Sequence, residues 1–373
     1  MAVLNEVKIS AFRGIKNLLL NNLGAINLIV GDNNSGKTSI LESLQLFRKP
    51  NDVNNLYRVA LVRDSFLGFY RLSTYESFIN MFTKNNMKIC VSCLYSQSME
   101  KKAESNNLDV TVEGHLNKVL VDYNELRNKI PSPIADSIDT EMDQFTGRLY
   151  ASSNHVGEVV DFSVNKLTPI TGRVIQKPII KINYLSPIDH MSWRTFNNII
   201  RNEKYKEICI KVLQIFDKNI EDLVMIKSEL PFDMSVECIK NKKTGLMPLS
   251  TYGDGIKKVL AIANAIASST NGILLIDELE TSIHAKYYDD IFNFIIKAAQ
   301  MYHVQLFITT HSIEAVDGLL KTRVSNEKYN TINDPFRIIT LRKDEESGNT
   351  LSRIMTGGEV YFNREKFNFE VRV

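Results

Sequence analysis

The chain has 373 residues, of which 44% are hydrophobic and 24% charged, as in an ordinary globular protein. Its formal net charge of +2 is too close to neutral to indicate a general nucleic-acid-binding surface. No apolar run reaches the roughly 18 residues of a membrane span, and residues 1–10 lack a secretion-signal pattern, so we expect a cytoplasmic protein that contacts no membrane.

The N-terminal part of the chain predicts two strands, at residues 2–9 and 18–30. They are joined by the turn Phe-Arg-Gly-Ile at residues 12–15. The second strand runs directly into Gly31. Residues 39–47 then carry apolar side chains at helical spacing. Strand, glycine loop and helix in this order are the context that a phosphate-binding loop requires.

Residues 31–38 read Gly-Asp-Asn-Asn-Ser-Gly-Lys-Thr and match the pattern GxxxxGK[ST] without deviation. Glycines let successive backbone N–H groups approach phosphate oxygens, and the following helix directs its positive end at the same anion. We predict that Lys37 reaches the β- and γ-phosphates of ATP and that the Thr38 hydroxyl holds Mg²⁺. The predicted nucleotide-binding residues of this loop are Gly31, Asn33, Asn34, Ser35, Gly36, Lys37, Thr38 and Ser39.

The middle of the chain is less regular. Residues 56–81 favour helices, and residues 87–95 and 109–121 favour strands of a hairpin or meander. The polar residues 97–107 and residues 131–140 predict irregular segments.

Four cysteines are too few for a disulfide framework in a chain of this size. Cys90 and Cys93 form a CxxC, which raises a zinc interpretation. They fall on a predicted strand, where residues three apart face opposite sides, and no second pair follows at zinc-finger spacing. We therefore expect neither zinc nor redox chemistry there.

The next stretch predicts a strand at residues 179–185, a helix at 196–216, two strands within 224–239 and a turn at 242–245. After it the pattern becomes regular, with helices at 255–267 and 285–302 that alternate with apolar strands at 272–276 and 304–309. Continuous apolar strands separated by helices indicate a parallel sheet covered on both faces.

Two carboxylates follow the first of these apolar strands. At its carboxyl end Asp277 would lie beside the phosphate loop, where it can bind Mg²⁺. Glu278 comes one residue later and points elsewhere, which suits a general base that polarises the attacking water.

The second apolar strand ends in Thr310, His311 and Ser312. A histidine at this edge can sense a γ-phosphate by a hydrogen bond, although His311 alone would be read as an ordinary loop histidine. His284, in the loop after the acidic pair, could touch a neighbouring subunit.

Residues 249–255 (Leu-Ser-Thr-Tyr-Gly-Asp-Gly) precede the helix at 255–267. Ser250 with the glycines at a helix N-terminus forms a second anion-binding end, and a flexible helix cap is the simpler alternative. One nucleotide needs only one phosphate loop. A second such end is explained if it caps the nucleotide of another subunit in a head-to-tail dimer.

These motifs in this order resemble the ABC-type ATPase domain of chromosome-maintenance and DNA-repair ATPases and, most closely, the OLD (overcoming-lysogenisation-defect) family. The resemblance covers residues 1–48 and 245–320 well. It implies an α/β ABC-type P-loop ATPase head with a mixed central sheet, an antiparallel β subdomain and a helical insertion. Residues 1–48 and 245–373 would form the two halves of the core, and residues 49–244 an inserted β/helical lobe that faces a partner or DNA.

The resemblance also implies roles for single residues. Ser250, Gly253 and Gly255 would be the signature motif that faces the partner's γ-phosphate, His311 the switch histidine, and Arg13 a neighbour of the nucleotide. The signature departs from the transporter form LSGGQ, which argues against a membrane transporter. The family's glutamine loop stays open between Gln45 and Gln97.

Two absences narrow the function. The chain lacks the long heptads of chromosome-maintenance ATPases. After His311 it also lacks the acidic strand pattern of the TOPRIM nuclease domain of OLD nucleases, so we expect no nuclease activity. Stand-alone OLD-like ATPases resemble sensor components of bacterial antiphage systems, which predicts a homodimer or higher even oligomer that controls a separate nuclease or toxin.

The alternative is a DNA-repair ATPase that binds nucleic acid directly. Its best support is the lysine cluster formed by Lys240, Lys242, Lys243, Lys257 and Lys258, for which a solvated surface is the simpler account. A small-molecule kinase or GTPase is disfavoured, because a kinase does not need residues 250–255 and residues 241–244 lack the Asp of the guanine-reading NKxD motif.

Overall fold

A computed structural model describes residues 3–63, 72–83, 86–97, 105–120, 141–154, 156–167, 178–191, 196–227, 235–324, 334–367 and 369–372. In chain order its strands are β1 (Val3–Phe12), β2 (Ile15–Leu20), β3 (Ile26–Gly31), β4 (Lys88–Ser96), β5 (Ser105–Leu120), β6 (Glu141–Ser153), β7 (Val156–Asn165), β8 (Ile182–Leu185), β9 (Ile220–Lys227), β10 (Ser235–Asn241), β11 (Gly245–Pro248), β12 (Ile273–Ile276), β13 (Gln305–Thr309), β14 (Phe336–Lys343) and β15 (Thr350–Thr356). Its α-helices are α1 (Lys37–Leu44), α2 (Val53–Leu61), α3 (Thr74–Ile79), α4 (Glu203–Leu213), α5 (Asp254–Ser268), α6 (Tyr288–Met301), α7 (Ile313–Val324) and α8 (Gly357–Phe367).

The central layer is a mixed sheet in the order β15-β14-β3-β13-β12-β8. All neighbours from β14 to β8 pair in parallel, and β15 pairs antiparallel with β14 at the edge. The carboxyl ends of β3, β13, β12 and β8 therefore meet at one edge. The expected α/β fold with a mixed central sheet is confirmed.

Both faces of this sheet are buried, which explains the continuous apolar strands in the sequence. On β12, Leu274 and Ile276 pack into the core beneath α4, α5 and α6, whereas Ile273 and Leu275 pack into the core shared with α1 and the N-terminal strands. All four side chains are fully buried. Alternate residues of one short strand thus join two cores.

The other two sheets are antiparallel. One has the order β2-β1-β4-β5-β6-β7, and the other the order β11-β10-β9. The sequence predicted a hairpin or a meander for β4 and β5, and the structure shows a meander in which β4, β5, β6 and β7 pair consecutively. The buried side chain of Gln305 fastens the N-terminal sheet to the central one, because it accepts the N–H of Leu4 at 2.8 Å and donates to the same residue's carbonyl at 2.9 Å.

Several predicted bounds were wrong. Residues 18–30 are not one strand, since β2 ends at Leu20 and β3 begins at Ile26 in a different sheet. The helix predicted at 196–216 begins only at Glu203, because the Asn202 side chain accepts the N–H of Tyr205 and caps the helix there. Residues 105–107 belong to β5, whereas residues 98–104 and 131–140 lie outside the described residues.

Cys90 and Cys93 lie on β4 as predicted, the first half-buried and the second buried. Burial raises the pKa of the Cys93 thiol well above its usual value. Over the described ranges, no group of three or more His, Cys, Asp or Glu side chains is arranged to hold a metal ion. No helix in the part of the chain that the structure describes is both long and apolar enough to cross a membrane.

Candidate functional site

Two adjoining cavities lie where the parallel strands end. The smaller, which we call the inner cavity, has a volume of about 420 Å³. It is lined by Asn34, Gly36, Lys37, Thr38, Ser39, Val62, Arg63, Tyr184, Ser186, Pro187, Ile188, Asp277 and His311. The larger, which we call the outer cavity, has a volume of about 930 Å³ and shares Asn34, Gly36, Ser39 and Arg63 with the first.

The loop between β3 and α1 has the conformation that its glycines predict. Gly31 and Gly36 have φ of 142° and 102°, in the region that favours glycine. A Cβ on Gly31 would lie 2.5 Å from the Leu341 carbonyl oxygen, so no other residue fits there. Asn34 also has a positive φ, of 65°. The backbone therefore curls tightly around the N-terminus of α1, where free N–H groups can bind an anion.

Lys37 is buried at the centre of this loop. Its Nζ donates to the carbonyls of Gly31 and Asp32, both at 2.7 Å. Burial lowers the pKa of Lys37, and the nearby carboxylates of Asp32 and Asp277 oppose that change. The Ser35 hydroxyl is buried with no partner in the described part of the chain. An ammonium held by carbonyls alone and an unpaired hydroxyl both fit a ligand that carries oxygen atoms.

Asp277 is held by three hydroxyl groups. Its Oδ1 accepts from Thr309 Oγ1 at 2.6 Å and from Thr38 Oγ1 at 3.2 Å, and its Oδ2 accepts from the Tyr184 hydroxyl at 3.0 Å. Burial, with Asp277 beside it, raises the pKa of Tyr184 far above its usual value, so Tyr184 stays a donor. Thr38 and Asp277 thus lie as close together as two ligands of one metal ion require.

Glu278 is adjacent in sequence but differently oriented. Its backbone has a positive φ of 47°, and its N–H donates to Thr309 Oγ1 at 2.9 Å. Its Oε2 accepts from Thr281 Oγ1 at 3.2 Å. The side chain is not among those lining the inner cavity, so a role in water activation requires it to exchange Thr281 for a water.

His311 lines the inner cavity together with Pro187 and Ile188. Glu280 fixes its loop, because Glu280 Oε1 accepts the N–H groups of His311 at 2.7 Å and Ser312 at 3.2 Å. The histidine is therefore placed by a carboxylate two residues beyond Glu278, a contact that the sequence analysis did not anticipate.

Arg13 lies at the outer cavity, in the turn between β1 and β2. Its Nε is 2.7 Å from Oε2 of the fully buried Glu42, and Arg63 Nε is 2.6 Å from the other oxygen of the same carboxylate. Arg63 also donates to Ser39 Oγ at 3.0 Å. Two guanidinium groups on one carboxylate leave net positive charge beside the loop, which favours an anionic ligand.

Ser250, Gly253 and Gly255 lie apart from this constellation. Gly253 caps the N-terminus of α5, Ser250 and Gly253 are exposed, and none of the three lines the inner or outer cavity. Neither Gln45 nor Gln97 lines either cavity. The structure therefore gathers the phosphate loop, Asp277, His311 and Arg13, and leaves the serine-glycine segment on the surface.

The lysine cluster considered in the sequence is not one surface. Lys258 is fully buried, which corrects its assignment to a solvated patch. Lys240 Nζ lies 3.3 Å from Glu221, and Lys257 Nζ lies 3.2 Å from Asp254. The charge available to a nucleic acid is correspondingly smaller than the sequence indicated.

The residues that sequence reasoning missed are Tyr184, Thr309, Glu42 and Arg63. Thr309 carried a signal, since it ends an apolar strand predicted to lie next to the acidic one. Tyr184 and Arg63 carried none, because the strand of Tyr184 and the turn after α2 that holds Arg63 are placed beside the loop only by the tertiary fold.

Comparison with known proteins was made on the whole chain. The family described as "AAA domain, putative AbiEii toxin, Type IV TA system" matches residues 26–317. A protein from Helicobacter pylori named "ATP/GTP phosphatase" is 25% identical over 349 residues, which cover 85% of this chain and 87% of that protein. The Smc head domain with an extended coiled coil, bound to the C-terminal domain of ScpA and derived from Pyrococcus furiosus, is similar over 99% of this chain and 100% of that chain, with a TM-score of 0.50 and 11% identity. The last likeness confirms the ABC-type head fold and nothing further.

Proposed function

The chain belongs to the P-loop ATPase family described as "AAA domain, putative AbiEii toxin, Type IV TA system", and we propose that it acts as a dimeric switch in which ATP binding and hydrolysis control a separate effector protein. The observation that carries this proposal is the separation of two anion-binding ends. One is built into the inner cavity. The other is the segment at residues 250–255 at the start of α5, where Ser250, Thr251, Gly253 and Asp254 are exposed.

The triphosphate of ATP would occupy the inner cavity. Lys37 would exchange its two loop carbonyls for phosphate oxygens, and the unpaired Ser35 hydroxyl would donate to one of them. The outer cavity continues from the same loop residues and has the volume of a nucleoside site. Arg13, which lines the outer cavity, supports the expected contact with the nucleotide.

Magnesium fits the pair formed by Thr38 and Asp277. Mg²⁺ keeps several waters and takes only one or two protein ligands beside phosphate oxygens, so a dense cluster of carboxylates is not required. When bound, the ion would neutralise charge on the transferred phosphoryl group. Thr309 and Tyr184 donate hydrogen bonds to the Asp277 carboxylate and hold it beside Thr38.

Hydrolysis would use Glu278 to orient and deprotonate the attacking water. The hydrogen bond from Thr281 is a weak restraint at 3.2 Å, so the carboxylate can turn toward the cavity when phosphate is present. His311, held by Glu280, would donate to the γ-phosphate. Lys37 would neutralise the negative charge that develops on the phosphate of the leaving ADP.

A second copy of the chain would complete the site. Ser250 and Gly253 are exposed and contact no nucleotide cavity of their own chain, so they are available to close the cavity of another. His284, also exposed, lies on the segment after the acidic pair and supports the same face. Two nucleotides would then be enclosed between two head-to-tail chains.

The setting that we propose is bacterial antiphage defence, with an OLD-like chain that senses a trigger and a separate nuclease or toxin that responds. This part of the proposal is supported by resemblance alone. The division into a core of residues 1–48 and 245–373 with an inserted lobe also stays a proposal, and β8, from within that lobe, pairs with β12 of the core. Direct action on DNA is less favoured, because Lys258 is buried and Lys240 and Lys257 are paired.

The experiment is to replace Glu278 by Gln and to measure both the rate of ATP turnover and the molar mass of the protein in solution. Loss of a general base typically slows a reaction 10²- to 10⁴-fold, so we expect a rate of about 1% of wild type or less. With ATP and Mg²⁺ the variant should accumulate as a dimer in light scattering. Glu345→Gln, an exposed change of the same kind, should match wild type in both measurements. Normal turnover of Glu278→Gln, or a mass that ATP does not alter, would contradict the proposal.

A further inference from the structure

Lys258 is a buried cation that the proposed reaction does not use. It lies on the first turns of α5, a few residues after the exposed serine-glycine segment, and none of its surface is accessible. Its Nζ donates to the carbonyl of Pro187 at 3.2 Å. Burial lowers the pKa of Lys258 to about 8, and the carboxylate of Asp189 opposes that change. A lysine kept in the core at this cost in solvation is retained for what its ammonium holds.

His190 holds the same carbonyl from a second side. Its Nδ1 lies 3.0 Å from the Pro187 oxygen, and its Nε2 lies 3.3 Å from Ser282 Oγ. A carbonyl oxygen only accepts, so Nδ1 carries the proton, and in the neutral ring Nε2 accepts from the serine hydroxyl. Lys258 and His190 therefore occupy both lone pairs of one carbonyl.

That carbonyl belongs to the wall of the inner cavity. Residues 186–188, which we call the wall segment, line the cavity. They follow β8, whose last carbonyl, of Leu185, accepts the N–H of Asp277 at 3.0 Å. A shift of the Pro187 carbonyl would therefore move one face of the cavity and the strand end that supports Asp277.

The same two side chains reach the surface segments that would face a second chain. Lys258 stands on the helix that Gly253 caps, and Ser282 belongs to the exposed loop before His284. A Cβ on Gly255 would lie 3.2 Å from the Ser282 carbonyl oxygen, so these two surface segments also contact each other.

We propose that Lys258 and His190 form a positioning clamp on the Pro187 carbonyl, which holds the wall segment in register with the exposed segments at residues 250–255 and 282–284. The clamp touches no nucleotide, so both are positioning residues. They couple the cavity of one chain to the surface that closes the cavity of the other. This inference rests on the proposed function, since it needs ATP turnover and dimer closure as its outputs.

The test replaces Lys258 by Met, which keeps a long unbranched side chain in the core but removes the donor. Lys257→Met is the matched control on the same helix, because Lys257 Nζ lies 3.2 Å from the exposed Asp254, whereas Lys258 Nζ is the one that donates to the Pro187 carbonyl. We expect Lys258→Met to bind ATP within about threefold of wild type while kcat falls about 10- to 100-fold, as a cavity misplaced by a fraction of an ångström requires. ATP-driven dimerisation of this variant should also become weaker, and its KM for ATP should change little.

Two substitutions at His190 separate its contacts and remain informative even if Lys258→Met does not fold. Asn places an amide near the Nδ1 position and can still donate to the Pro187 carbonyl, whereas Gln places its amide near Nε2 and reaches Ser282 instead. We expect His190→Asn to retain kcat within about threefold and His190→Gln to lose about tenfold or more.

The outcomes distinguish the inference from the function beneath it. If wild type hydrolyses ATP and dimerises but Lys258→Met and both His190 variants do the same, the clamp is overturned and the switch stands. Equal loss of ATP affinity, kcat and thermal stability in all three variants would overturn it too, since that is a purely structural role. Wild-type protein that neither hydrolyses ATP nor dimerises would overturn the proposed function itself.

Discussion

Thr309 joins the two acidic residues through one buried hydroxyl group. It donates to Asp277 at 2.6 Å and accepts the N–H of Glu278 at 2.9 Å, and only 1% of its surface is exposed. A non-glycine residue with positive φ, such as Glu278, is strained and persists only where its surroundings hold it. Thr309 therefore both orients the Asp277 carboxylate and stabilises the strained turn that carries the proposed base.

Thr309→Val should remove both contacts while keeping the shape of the side chain. We expect the free energy of unfolding to fall by about 1–3 kcal/mol, because a buried N–H is left unpaired, and ATP turnover to fall at least about tenfold. Thr340→Val is the control, since Thr340 is buried in β14 of the same sheet and bonds the carbonyl of Val371, away from both cavities. Thr340→Val should lose stability but keep turnover. Equal turnover in the two variants would contradict the role assigned to Thr309.

At this scale the sequence predicts the residues that lie within one motif and misses those that only the fold brings near. Lys37 and Thr38 follow from a contiguous pattern, and Asp277 and His311 follow from strand ends that parallel pairing must align. The structure places all four at one cavity, although their roles stay predictions. Tyr184 and Arg63 lie on elements whose neighbours no local pattern specifies.

Elements differ in how well their own sequence determines them. The buried strands β12 and β13 and the helix α5 were predicted within one residue at each end, and the helix α6 between the two strands within three residues. Apolar periodicity is strongest where both faces of a sheet are covered. The strands β14 and β15 were not predicted, although β14 pairs with β3 directly beside the phosphate loop. The strand β15 lies at the edge of the sheet, where Thr350 is buried and its other side chains are half-buried or exposed, and β14 lies between β15 and β3.

The exposed segment at residues 250–255 is predicted to act on the nucleotide of a second chain. Ser250→Arg adds a long cation at the exposed start of α5. We expect ATP affinity in dilute monomer to match wild type, because Ser250 lines neither cavity of its own chain, while ATP-driven dimerisation and turnover are lost. Ser347→Arg, in the exposed turn between β14 and β15, is the control and should retain both. Weaker ATP binding by monomeric Ser250→Arg would place the segment in its own chain's site.

At the scale of the whole molecule, we propose that a second copy of the chain completes the nucleotide site. Cleavage of a phosphodiester by a two-metal nuclease needs several carboxylates that converge on metal ions a few ångströms apart. In the proposed function Asp277 and Glu278 act on ATP. Opening and closing of a dimer would instead present two states between which a trigger or effector can select.

We therefore predict that the purified chain, with ATP and several concentrations of Mg²⁺ or Mn²⁺, cuts neither plasmid DNA nor total RNA. The protein should come from a host that lacks the genes neighbouring its own, so that no effector is carried along. Lys37→Ala, purified in the same way, is the control that reveals nuclease activity from contaminants. Cleavage that survives purification and disappears in a variant of this chain would reveal a catalytic site beyond the one described.

The central claim is that each nucleotide is enclosed by the phosphate loop of one chain and the serine segment of another, and mixing two inactive variants tests it most directly. Lys37→Ala should fail to bind ATP, and Ser250→Arg should bind it without closing, so each alone should hydrolyse almost nothing. In a mixed dimer the intact loop of Ser250→Arg meets the intact segment of Lys37→Ala. A one-to-one mixture should therefore recover up to about a quarter of wild-type turnover, since half of randomly formed dimers contain one complete site. Turnover that never exceeds the sum of the two separate variants would contradict the head-to-tail dimer.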